Sequence, residues 1–261
     1  MPNVQEGLED DLDVIIRDLA NIALLLNDSS ICPNTGPIDA AIYDCQSRST
    51  EMYYCYSLNS LDFNPNCIYP PGGTLPLRLD NIFIRLSIEV RGRYMSGQLI
   101  DPLEQIEEGE VKRPPCCDLE LYATNECNGE LYSAWHFDKD FEGATNISGQ
   151  TYLHPKYHWT FGGNRMEYTD LGGIFIFPAP RIAHPPFDAI LAIDYIIKHF
   201  IPNEIHIELT SSSEYINIVA RSQRRIWRPF ILTLASFWTD IDNLSGDFTP
   251  TMILPELVNI I

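Results

Sequence analysis

Ile82, Ile84, Leu86, Ile88 and Val90 alternate with Phe83, Arg85, Ser87, Glu89 and Arg91. No other stretch restricts the fold as tightly. Successive side chains of a strand point to opposite faces, so this run demands a sheet with one side against a core. Two later segments repeat the pattern. "DLELYATNECNGELYSAWHFDK" reads as a hairpin around Asn128-Gly129. "TYLHPKYHWTF" alternates Leu153, Tyr157, Trp159 and Phe161 with Tyr152, His154, Lys156, His158 and Thr160. Pro155 suits an edge or bulged position there. "GGIFIFPAP" is apolar on both sides, as a covered strand would be.

The hairpin admits two registers. A two-residue turn would set Leu121 opposite His136, an apolar side chain against a polar one. A three-residue loop, Cys127-Asn128-Gly129 with Gly129 left-handed, sets Leu121 opposite Trp135 and Leu119 opposite Phe137. A slip of one residue turns every side chain to the other face, so burial favours the second pairing.

Helical periodicity brackets these strands. From Gln5 to about Asn27, Leu8, Leu12, Ile15, Ile16, Leu19, Ile22 and Leu26 recur at helical spacing behind an acidic first turn. Phe187 to Phe200 forms an apolar helix with Pro186 near its first turn. "IHIEL" reads as one more strand. Ser213 and Glu214 begin a long helix that Pro229 should kink, ending near Trp238. Residues 29–79 mix turn residues, aromatics and cysteines, which predicts short strands or helical turns among ordered loops, with "YPPGGTLP" as a linker. The sum is one α+β domain over 1–261: an N-terminal helix (1–28), an irregular segment (29–79), an antiparallel sheet (80–180) and a helical region (185–240). Its mainly antiparallel twisted sheet of about five or six strands should carry the helices on one face.

Composition narrows the function. With 36 acids against 17 bases the net charge is −19, so nucleic acid is repelled except where a local basic patch overrides the field. Seven cysteines occur without a CxxC pair, which argues against a zinc ribbon or thioredoxin-like motif and for reduced thiols in the cytoplasm. The acidic N-terminus is unlike a signal peptide, and no apolar run approaches the roughly 18 residues of a membrane span. GxGxxG, Walker, GxSxG, HExxH and kinase patterns are absent. His184 before two prolines reads as a structured turn, with Arg181 projecting beside the covered strand.

Two constellations remain. With Trp135, Phe137, Leu153 and Tyr157 turned inward, strand parity groups His136, Asp138, His154 and His158 on the other face, with Glu120 beside His136 and Asp118 beside Asp138. Imidazole and carboxylate ligate zinc or manganese, and an open coordination position activates water. Without metal, Glu120 or Asp138 could orient His136 as a general base, and Lys156 could steady an anion. The competing reading is the water-facing side of an antiparallel sheet, with no chemistry. On the long C-terminal helix, Arg221, Arg224, Arg225 and Arg228 fall at i, i+3, i+4 and i+7, behind an apolar stripe of Tyr215, Val219, Ile226 and Phe230. They serve either an anionic ligand or partner surface, or an internal ion-pair network with the N-terminal helix or the 104–110 acids. Two functions follow as expectations. One is a non-catalytic accessory subunit of a cytosolic microbial assembly, docking a protein partner through charged helices. The other is a metal-dependent hydrolase or nuclease built on the histidine face.

Overall fold

An antiparallel sheet with helices on one side organises the chain, as the alternation requires. The coordinates, a computed structural model, describe residues 12–68, 79–95, 98–101, 106–108, 111–113, 116–125, 130–139, 155–162, 166 and 182–236. The strands are β1 (Tyr53–Phe63), β2 (Leu79–Met95), β3 (Gln98–Asp101), β4 (Ile106–Glu108), β5 (Val111–Arg113), β6 (Cys116–Asn125), β7 (Glu130–Lys139), β8 (Tyr157–Phe161) and β9 (Ile182–Ala183). The helices are α1 (Leu12–Asp28), α2 (Gly36–Arg48), α3 (Ala189–Phe200), α4 (Asn203–Thr210) and α5 (Ser213–Ala235). The main sheet has seven strands in the order β1-β2-β6-β7-β8-β9, with β3 against one end of β2; β4 and β5 pair separately.

Two cross-strand rows carry the core. Leu61, Leu86, Leu119, Trp135 and Phe161 form one; Leu58, Ile88, Cys117, Phe137, Trp159 and Ile182 form the other. Ile15, Leu19, Ile22 and Leu26 of α1, Ile190, Ile193 and Ile197 of α3, and Ile218, Ile226 and Phe230 of α5 close over them. Each such side chain, fully buried, contributes about 1.5–3 kcal/mol, so these rows fix which face is inside. Both sheet edges are guarded against further pairing. Along β1, the Ser57 N–H donates to Asp44 Oδ2 at 2.8 Å and the Cys55 N–H donates to Ser49 Oγ at 3.1 Å. Among the described residues the far edge is β9, two residues long.

Three expectations are corrected. First, β6 and β7 pair Leu119 with Trp135, Cys117 with Phe137 and Asp118 with His136. The register is displaced by two residues from the expected one, which preserves every face and exchanges every partner. Among the described residues the pairing runs to Thr124 and Glu130; residues 126–129 lie outside the described set. Second, "IHIEL" is helical, within α4. Ile205 and Leu209 satisfy a four-residue period as well as a two-residue one, and Pro202 at the N-cap presets a helix start. Third, 29–79 is more regular than expected, holding the 13-residue α2 and the 11-residue β1. A bulge between Leu58 and Leu61, with Ser60 at φ 57°, switches the inward residues from even to odd numbers. That switch hides β1 from a period-two reading. The "YPPGGTLP" and "GGIFIFPAP" segments fall outside the described residues.

A candidate ligand cleft and the two expected sites

The outer face of β7 and β8 carries His136, Asp138, His158 and Thr160, the side that parity assigned them. His136 Nε2 lies 3.0 Å from Asp138 Oδ2. That hydrogen bond raises the His136 pKa; burial opposes the shift, and the Asp118 charge and a backbone hydrogen bond with Gly162 reinforce it. A ring that donates Nε2–H to a carboxylate has that nitrogen engaged, and the hydrogen bond with Gly162 engages the ring a second time. His158 is 1% exposed, and its Nδ1 donates to the Pro155 carbonyl at 2.9 Å. Glu120 is aligned with Ala134 instead of His136, and accepts the Tyr132 hydroxyl at 2.8 Å. Lys156 is buried. His154 lies outside the described residues. Among the described residues no group of three or more His, Cys, Asp or Glu side chains is placed to hold a metal ion. The water-facing alternative also fails at β8, where both His158 and Thr160 are buried.

The arginine stripe divides. Arg221 makes a bidentate contact with Asp18 of α1, through Nε to Oδ2 at 2.9 Å and Nη2 to Oδ1 at 2.5 Å. Arg225 is buried and reaches Asp188 Oδ2 at 2.7 Å. Burial works against the Arg225 charge, but Asp188 together with Tyr54 and Tyr56 raises the pKa overall. Asp188 also caps α3, accepting Leu191 N–H at 2.9 Å, and receives the Ser222 hydroxyl at 2.5 Å. A parallel link joins Asp194 of α3 to the Tyr215 hydroxyl at 2.9 Å. Two of the four arginines therefore clamp α5 to α1 and α3, the ion-pair alternative of the sequence reading. Arg224 and Arg228 stay on the exposed side. At about 100° per residue the stripe spans about 100° of the helix, wide enough for its Arg225 margin to pass under the neighbouring elements.

A cavity of about 330 Å³ opens on the inner side of the sheet, at its β9 end. Leu119, Trp135 and Trp159 come from β6, β7 and β8, Ile182 and His184 from β9 and the turn after it, and Tyr195 and Phe200 from α3. The rings are mutually packed: Trp159 lies 5.7 Å from Tyr195, His184 stacks on Phe187 at 4.6 Å, and Phe137 meets Trp159 edge-on at 5.5 Å. Ile182 is 54% exposed and marks the mouth. Among the described lining residues, Trp135, Trp159, His184 and Tyr195 carry polar atoms. Trp159 is 7% exposed, and its buried Nε1 has no hydrogen-bond partner. His184 Nδ1 donates to the Pro185 carbonyl at 2.7 Å, which leaves Nε2 as an acceptor on the neutral ring. Burial pushes the His184 pKa down, with the Pro185 bond opposing and His199 adding to the shift, so the neutral form prevails at pH 7.

The sequence reading placed Trp135, Trp159 and Leu119 inward but missed the cleft they line. Its remaining signal was the only aromatic cluster in the aliphatic α3, Tyr195, His199 and Phe200, together with the His184-Pro-Pro-Phe turn. Comparison of the chain with protein-family models, with curated proteins and with solved structures finds no match.

Proposed function

We propose that this chain works by binding rather than by catalysis, and that its ligand is a small, largely apolar molecule held in the cleft between β6–β9 and α3. The observation that carries this reading is a roomy cavity walled by aromatic rings from β7, β8, the turn after β9 and α3. Ligand sites are concave, mostly apolar and about 300–1,000 Å³ in volume, with a few placed polar groups. Among the described lining residues there is neither a carboxylate nor a thiol to pair with His184 in acid–base or nucleophilic work. The test is occlusion at the mouth. Ile182 is exposed, so Ile182→Trp should leave the melting temperature unchanged while weakening naphthalene binding, measured by equilibrium dialysis, by about tenfold or more. Undiminished binding in that variant, or none in the native protein, removes the reading.

A second reading, docking of a protein partner, draws on the outward side of α5. Ile216 and Ile231 are each about half exposed there, alongside Arg224 and Arg228. An apolar and basic strip on an acidic chain suits an acidic protein surface. Arg224→Glu with Arg228→Glu should abolish co-purification of a partner without loss of helicity. Retained co-purification counts against docking here.

A further inference from the structure

We infer that the cleft takes flat aromatic molecules in preference to saturated ones of the same skeleton, because rings from both the sheet and α3 cover a guest there. The inference rests on the cleft being a binding site, and it concerns only which apolar molecules that site prefers. Five of the seven described lining residues carry rings: Trp135 from β7, Trp159 from β8, His184 from the turn after β9, and Tyr195 and Phe200 from α3. Trp135, His184, Tyr195 and Phe200 are only partly buried, so each keeps surface that a guest can cover. The ring planes point in several directions. His184 stands at 85° to Tyr195 and 68° to Trp159, while Trp159 and Tyr195 are 31° apart. A planar guest stacked on one ring therefore turns its edge to another, and the positive rim of one aromatic ring attracts the negative face of the next. A saturated guest buries its area without that attraction. The walls are also braced from behind. Phe161 lies 4.8 Å from Trp135, Phe187 stacks on His184 at 4.6 Å, and His199 stacks on Tyr195 at 4.1 Å. His199 Nδ1 is itself held 2.8 Å from the Tyr195 carbonyl. Rings fixed in this way lose little freedom when a guest arrives, and close packing keeps them from reshaping around a puckered one.

The experiment compares naphthalene with decalin, its fully hydrogenated counterpart, on the whole chain. Each affinity, measured by equilibrium dialysis, is divided by the compound's partition coefficient from water into hexane, which removes simple hydrophobicity. On that scale native protein should favour naphthalene about tenfold, the worth of one or two ring–ring contacts. Tyr195→Leu keeps an apolar wall but removes one ring. It should cut the preference by about threefold or more while leaving decalin within about twofold of native. Should that variant fail to fold, native protein decides by NMR, where the protons of bound naphthalene should move upfield under the currents of the rings stacked on it. Equal or reversed normalised affinities, a preference unchanged by Tyr195→Leu, or bound naphthalene without an upfield shift overturns the inference while leaving the cleft a binding site. Failure of both compounds to bind removes the cleft reading itself.

Discussion

The two faces of β7 and β8 share one backbone and differ in everything else. The inner face is built of rings: Trp135, Phe137, Tyr157 and Trp159 pack under α3 and α5, and the cleft opens where that packing is incomplete. The outer face carries His136, Asp138, His158 and Thr160, each in a local hydrogen bond or buried. On the sequence, the outer face looked like the chemical one, because imidazoles and carboxylates are the usual ligands and bases. Each face holds a buried donor without a partner, Thr160 Oγ1 outside and Trp159 Nε1 inside, and His136 already donates its Nε2–H to Asp138. Residue type names what a side chain can do; its partners decide whether the capacity is already used.

The comparison can be broken at several points, and the largest effect lies where the inner layer is clamped. Asp188→Ala leaves Arg225 as a buried charge without its carboxylate and uncaps α3, so unfolding free energy in urea should fall by about 3–5 kcal/mol. Asp188→Ala combined with Arg225→Met should recover much of that loss. If the single variant unfolds like native protein, the helices are not held this way. Next, Phe137→Ala and His136→Ala sit side by side on β7 and face opposite ways. The first should cost about 3–5 kcal/mol through lost burial and a cavity. The second should cost about 1 kcal/mol through one hydrogen bond. Comparable losses would erase the distinction between the faces.

The faces should also respond to pH with opposite signs. His136 titrates above its ordinary 6.5 when folded, so its pairing with Asp138 stabilises fully below pH 6.5 and fades as pH rises through the folded value. His184 titrates below 6.5 when folded, so its contribution is complete above pH 6.5 and fades as pH falls through the lowered value. His136→Gln should flatten the alkaline side of the stability curve and His184→Gln the acid side. Flattening on the same side in both variants would contradict the assigned environments. The smallest effect belongs to Arg85 and Asp62, an exposed outer-face pair at 2.7 Å. Arg85→Ala should change stability by less than about 1 kcal/mol, and salt should abolish the difference.

Much of the fold was legible because parity is local. The pleat alone puts Trp135 and Trp159 on one side and His136 and His158 on the other, whatever else the chain does. The helix starts were read one or two residues off: Ser212 and Asp188 cap α5 and α3, each accepting a backbone N–H three residues on. β1 was not legible, since a single bulge inverts the parity that reveals a strand. Nor was "IHIEL", where a short run satisfies both periods at once.

By itself the sequence determined the faces of the middle strands, the amphipathic helices and the α+β class, since each follows from the repeat of a few neighbouring residues. The tertiary structure decided the rest. A two-residue slip in register keeps every face and so leaves no trace in the alternation; only packing across the whole sheet selects it. Arg221 meets Asp18 across 203 positions of chain, and no periodicity links residues so far apart. The cleft is likewise a space between β6–β9 and α3, set by how closely those elements approach, and a space has no letter in the sequence.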